Sequence, residues 1–398
     1  MKKTPILVTI ALLWPVFLFC YLPKPIFASS SKAIVNLVLP MKEAPGGKIL
    51  LKNGRFSGRH KKEVGGDTFN AVIERHAISS WKGARVAALV LSYETGGSGT
   101  FKRLYYLTEK EKGWFPRAWV DLGDRVKIRY LSLYRHGAIY LGLIEHEKGE
   151  PMCCPTKRVL KVFNVTEKGL VPAATYRASL FPDEIECDAK LMDPTARLEM
   201  LPEVSFSPHN IGPSSAVPTN VALVVKNKSI VMRVIDAKAY LDMWWKERDP
   251  TINIAIHRLK NALKKDVNQL SPPFDILPPR PGINDFAVFV SKIPFKNGLG
   301  IGFVGRVTKD VSCVDKSQLR FFYMGLDEKS KYLVTMSLKV SASPKLPSRL
   351  WLCEKGIKGL RKQIQEIEKF MGGMDEKSAF SELPRIKRFL GSLEIRPI

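Results

Sequence analysis

Between residues 34 and 175 the chain is a succession of short apolar runs, separated about every ten residues by turn residues. No helical period intervenes. This pattern restricts the fold more than any other feature, because strands joined by short turns pair antiparallel with their neighbours. Arg85–Tyr93 (RVAALVLSY) is continuously apolar and β-branched, as a buried strand is. Glu94-Thr95-Gly96-Gly97-Ser98-Gly99 follows it, then Phe101–Leu107, and the three together predict a hairpin. Val126–Tyr134 and Ala138–Ile144 flank Arg135-His136-Gly137 and predict another, with Ile139, Leu141 and Leu143 alternating toward one buried face. Val159–Val165 adds a strand closed by Glu167-Lys168-Gly169. An antiparallel all-β domain, a sandwich or a curled sheet, is the expectation for residues 34–176.

Prolines then punctuate a weakly patterned stretch: Pro182, Pro194, Pro202, Pro208, Pro213 and Pro218. Residues 177–204 are read as a connector. From 205 to 398 helix and strand alternate. Val221–Val225 and Ile230–Ile235 read as strands. Asp236 can cap a helix running to Trp245, and Asp249-Pro250 opens a second one carrying Ile252, Ile256, Leu259 and Leu263 at helical spacing. Strands resume at Phe286–Ile293, Ile301–Thr308, Leu319–Tyr323 and Tyr332–Val340. From Arg349 a stripe of Leu350, Cys353, Ile357, Leu360, Ile364, Ile367 and Met371 predicts a terminal helix lying on its own domain; a dimerising coiled coil is the alternative. The expected class is α+β: an antiparallel β domain, then a mixed α+β domain with a terminal helix.

Three stretches of the first half, read together, resemble the exported LppP/LprE-type lipoprotein family. They are Gly96-Gly97-Ser98-Gly99-Thr100-Phe101, Leu122-Gly123-Asp124-Arg125-Val126 and Pro151-Met152-Cys153-Cys154-Pro155-Thr156. The likeness spans about residues 47–172. It departs from the pattern at Ser79-Ser80-Trp81-Lys82-Gly83-Ala84, which carries no acid for a Ca²⁺ site. It departs again at Cys20, which follows Phe19 rather than the small residue a lipidation signal needs. Over about residues 205–395, Phe295–Gly300, Phe322–Asp327 and Leu346-Pro347 are similar to a module of other exported bacterial proteins, with Asp327 where Thr is usual. Both resemblances imply an envelope or secreted protein, and neither implies a reaction.

Candidate chemistry is sparse. Ser98 sits in G-G-S-G-T between two strands, whereas a nucleophile elbow joins strand to helix. Cys153 or Cys154 with His136 or His146 could supply a thiolate and a base, and His146 with both cysteines could hold part of a zinc site. Pro151 and Pro155 more simply fix a turn there. Glu94, Asp121, Asp124 and Glu145 are acids at strand ends. Gly298, Gly300 and Gly302 imitate a phosphate loop, but they lead into a strand rather than a helix N-terminus. Trp244-Trp245 on a helix places one ring inward and leaves the other for the surface, where a sugar could stack. No catalytic residue, metal site or cofactor is expected.

The N-terminus sets the expected compartment. Lys2 and Lys3 precede an apolar run from residue 5 to 22, and Ala28 lies before Ser29. This describes a signal peptide over residues 1–28, cleaved after Ala28; an uncleaved anchor is the rival, since the run could span about 27 Å as a helix. The expected location is periplasmic or extracellular. The chain has 398 residues and a formal charge of +25. Without the leader about +22 remains. Export argues against nucleic acid as the partner and favours an anionic envelope polymer, lipid headgroup or polysaccharide, or another envelope protein. A composition of 45% hydrophobic and 25% charged residues excludes a disordered chain. The mature chain would keep five cysteines: Cys153, Cys154, Cys187, Cys313 and Cys353. In an oxidising compartment the expected bridges are Cys313 with Cys353, and one of the vicinal pair, Cys154, with Cys187. The reading that results is a non-enzymatic binding or interaction protein; the alternative is an envelope hydrolase acting on a cell-wall substrate.

Overall fold

A computed structural model describes residues 34–397 apart from 60–67, 112, 135–136, 168, 207–215, 227–228, 271–272, 281, 310–311 and 354–355. The expected signal peptide and the Arg59–Lys62 basic cluster beyond Arg59 lie outside the described residues. The first half opens with a small hairpin, β1 (Val38–Pro40) and β2 (Lys48–Leu50). β3 (Arg55–Arg59), β4 (Thr68–Trp81), β5 (Ala84–Glu94), β6 (Phe101–Lys110) and β7 (Gly113–Asp124) form a five-stranded antiparallel meander. β8 (Lys127–Leu133), β9 (Ala138–Glu145), β10 (Lys157–Thr166) and β11 (Gly169–Arg177) form a four-stranded one.

β5 explains its unbroken apolar run. Val86, Ala88 and Val90 point into a core shared with Ile139, Leu141 and Leu143 of β9 and Val159 of β10. Ala87, Leu89 and Leu91 point the other way, against Ile34, Leu37, Leu39 and Ile49 around the small hairpin. A strand covered on both faces has no position left for alternation.

The residues read as a connector are more ordered than their sequence pattern predicts. They contain β12 (Ile185–Glu186) and β13 (Arg197–Leu201), and β13 pairs with β14 (Asn220–Val225). β15 (Ser229–Asp236) follows, then α1 (Ala237–Lys246) and α2 (Thr251–Lys264). β16 (Ile283–Phe295), β17 (Gly298–Thr308), β18 (Arg320–Asp327) and β19 (Tyr332–Lys339) complete a seven-stranded antiparallel sheet in the order β13-β14-β15-β19-β18-β17-β16. The chain ends with α3 (Ile357–Gly372), α4 (Glu376–Ala379), α5 (Leu383–Ser392) and β20 (Glu394–Ile395), which pairs with β12. The molecule is an α+β protein. No helix among the described residues is long and apolar enough to cross a membrane.

Side-chain alternation places a layer on each face of the large sheet. Phe322, Met324 and Leu326 of β18 face α1 and α2 through Tyr240, Trp244, Ile252 and Ile256. Phe321 and Tyr323 face the opposite layer, with Leu360, Ile367, Phe389 and Leu390 of the terminal helices. That second layer also takes in Tyr130, Ile144 and Leu160 of the four-stranded sheet, so the two halves share a core. Asp236 caps α1 by accepting from the Ala239 amide at 2.8 Å, and Asp249 accepts from the Thr251 amide at 2.8 Å at the start of α2.

The tail helix begins later than its heptad pattern predicts. Leu360, Ile367 and Met371 are buried, while Ile357 is exposed at the first turn. Cys353 precedes the helix in an irregular segment, because Gly356 with φ +90° breaks the run between them. Cys353 is nevertheless bridged to Cys313, with Cα atoms 5.9 Å apart.

Candidate functional site

Two places gather residues with chemistry. The larger is a cleft of about 1040 Å³ between the halves. The β9–β10 loop and the start of β10 supply Glu147, Thr156, Lys157 and Arg158; α1 supplies Lys238, Asp242, Trp245 and Lys246 across from them. The helix decides the fate of the tryptophan pair. Trp244 turns inward, 1% exposed, and its indole N–H donates to the Ala216 carbonyl at 3.2 Å. Trp245, one position on and thus about 100° round the helix, is 67% exposed on the cleft wall. The Thr219 hydroxyl is buried in the lining with no hydrogen-bond partner among the described residues.

The charges of the cleft are largely committed. Lys238 pairs with Asp242 at 2.8 Å, Arg177 with Glu147 at 3.7 Å, and Lys157 with Glu145 at 3.1 Å. Asp236 caps α1, and Glu203 accepts from the Ser205 hydroxyl at 2.9 Å. Arg158 pairs with Glu184 behind the wall. Five basic and five acidic side chains line the space, so local recognition falls to hydrogen bonding and the indole face rather than to net charge.

The second place is where the three stretches quoted for the family resemblance meet. Arg125, in the left-handed region at φ +52°, joins them. Its amide donates to the Thr100 carbonyl at 2.7 Å, and its guanidinium donates to the Ser98 carbonyl at 2.8 Å and the Met152 carbonyl at 3.2 Å. Asp124 accepts from the Thr100 amide at 2.8 Å. Glu150 closes the β9–β10 loop by accepting from the Glu147 amide at 2.8 Å and the Thr156 amide at 3.2 Å, while its contact with the Thr156 hydroxyl is closer still. Those bonds hold its carboxyl below the usual range, the Thr156 hydroxyl acting most strongly.

The cysteines divide unevenly. The Cys313–Cys353 bridge is present. The expected bridge from Cys154 to Cys187 is not: Cys153 and Cys154 are exposed free thiols, and Cys187 is a partly buried one. Cys187 packs against the core shared by the two halves, and burial pushes its thiol up to about 11. The neighbouring Cys153 thiol raises that of Cys154 through a hydrogen bond. His146 does not complete a metal set, since no three His, Cys, Asp or Glu among the described residues are placed to hold an ion. His136 lies outside the described residues.

The other candidates acquire structural partners. The Ser98 hydroxyl lies 3.3 Å from Arg125, in a hairpin loop. Glu94 accepts from the Thr100 hydroxyl at 3.3 Å, and Asp121 pairs with the buried Arg103 at 2.5 Å. Burial acts to raise the Glu145 carboxyl, but Lys161 and Lys157 outweigh it and the net shift is downward. The alternating glycines of β17 make room for rings: a Cβ on Gly300 would stand 2.5 Å from the Tyr323 ring and hydroxyl, and one on Gly302 would stand 2.5 Å from Ile293 and 2.9 Å from Phe321. That packing, not phosphate, accounts for the motif.

Sequence reasoning missed the cleft. Its lining comes from segments that are distant in the chain, and only the paired tryptophans signalled it. No family model and no curated protein matches the chain.

Proposed function

We propose that the protein is an exported, non-enzymatic binding protein whose cleft takes a segment of an anionic envelope polysaccharide. The exposed Trp245 indole on the cleft wall carries the reading. An aromatic face in a concave, hydrogen-bonding site suits the apolar face of a pyranose, while Lys246, Thr219 and the paired charges meet its hydroxyl and acid groups. The lining is charge-balanced, so attraction to an anionic polymer comes from the excess positive charge of the chain as a whole. The export reading rests on the basic and apolar start of the sequence and on the resemblance of the first half to exported proteins; the disulfide is compatible with it.

Calorimetric titration with an oligogalacturonate and with a neutral cello-oligosaccharide of equal length tests the proposal. Binding of the anionic ligand is expected, weakening with added salt, and Trp245→Ala is expected to lower affinity about tenfold, or about 1.4 kcal/mol. Equal affinity in the variant would remove the cleft from the reading. New reducing ends appearing during incubation would move it to the hydrolase alternative, with the acids of the same cleft as the groups to dissect.

A further inference from the structure

The β9–β10 loop has a second use that the cleft does not absorb. Met152, Cys153 and Cys154 are consecutive, and all three are exposed at its tip, Met152 by 53%. Sulfur side chains ordinarily go inside. Here the backbone on either side is tied down while the side chains are turned out. The Arg125 guanidinium holds the Met152 carbonyl, the Cys154 amide donates to the Pro151 carbonyl at 3.2 Å, Pro155 is buried, and Glu150 fastens both ends of the loop. Cys153 and Cys154 are both free thiols. Lys127 lies close enough to act on Cys154 electrostatically.

We propose that Met152, Cys153 and Cys154 form a binding site for a thiophilic, monovalent d¹⁰ metal ion of the copper(I) class. Thiolate and thioether sulfur are the donors that select copper(I) over harder ions. The two adjacent cysteines supply the anionic sulfurs, each losing its proton to solvent as the metal binds, and Met152 supplies the soft neutral one. Lys127 offsets the single negative charge left by two thiolates and one monovalent ion. The clamp at Arg125 presents the sulfurs without recruiting them into a core. The site is independent of the glycan cleft, although both use the same loop.

Anaerobic titration of the full chain with copper(I), held by bicinchoninate as competing chelator, reads the site directly. One equivalent is expected to move from chelator to protein in the wild type. That equivalent is expected to be lost in Cys153→Ser/Cys154→Ser and to be held more weakly in Met152→Leu, with far-ultraviolet circular dichroism unchanged in both. Retention of the equivalent by the double variant would overturn the proposal by placing the copper elsewhere, at Cys187. Displacement of copper(I) by an equal concentration of zinc(II) would overturn its soft-metal character.

Discussion

At the scale of the residue, the charges buried in this fold are structural. Arg103 is buried, yet it holds Glu43 with two nitrogens and Asp121 with a third. Arg306, wholly buried, binds Asp285 and the carbonyls of Ser312 and Cys313. Each is a cation removed from water and repaid by paired hydrogen bonds. Gly300 shows the same economy in reverse, because its lack of a side chain is what Tyr323 needs. Tyr323 lies over Gly300 and Gly325, which pair across β17 and β18, and donates its hydroxyl to the Ile293 carbonyl at 3.1 Å. Gly300→Ala is therefore expected to destabilise the protein by about 1–3 kcal/mol, as overpacking does. Urea unfolding of the variant measures it, and a midpoint equal to wild type would show that the ring can move aside.

At the scale of the element, strands and capped helices were legible because their signals are local. Asp236 and Asp249 announced α1 and α2, and the hairpins of the first half announced themselves through their turn residues. β13 was not legible. Arg197–Leu201 carries no clear alternation, and it is a strand because β14 offers it an edge. The start of α3 was overextended for a related reason: heptad spacing continues through residues 350–356, but Gly356 stops the helix and the disulfide takes over the fastening. The bridge closes a loop of 40 residues, a separation for which chain entropy in the unfolded state gives about 4 kcal/mol. Cys313→Ala/Cys353→Ala should lower stability by up to that amount and increase proteolytic cutting just before α3. Unchanged thermal unfolding on reduction would show that the loop is held by packing alone.

At the scale of the whole molecule, the halves are joined by a buried carboxylate as well as by a shared core. Glu184 is fully buried and paired with Arg158 of β10, with Arg129 of β8 at 3.8 Å. It also accepts from the Phe181 amide at 2.7 Å, and its backbone carbonyl accepts from the Arg396 amide at 2.7 Å. The two arginines lie over the Phe181 ring, 4.4 and 5.4 Å from its centre. First half, connecting segment and C-terminus thus meet at one residue. Removing one partner of a buried ion pair costs about 3–5 kcal/mol, so Glu184→Ala is expected to fall in that range and to expose residues 177–206 to limited proteolysis. A loss below 1 kcal/mol would show that apolar packing alone holds the junction.

The sequence by itself determined the α+β class, the antiparallel first half and the capped helices, since each rests on local periodicity or turn chemistry; it narrowed the cysteine pairings to an expectation of which only Cys313–Cys353 formed. The tertiary structure alone decided that Trp245 faces a cleft, that Arg125 draws three distant stretches to one loop, and that Cys154 and Cys187 stay apart. Those outcomes depend on which segments the sheets bring together, and no short-range pattern encodes a contact between residues that far apart in the chain.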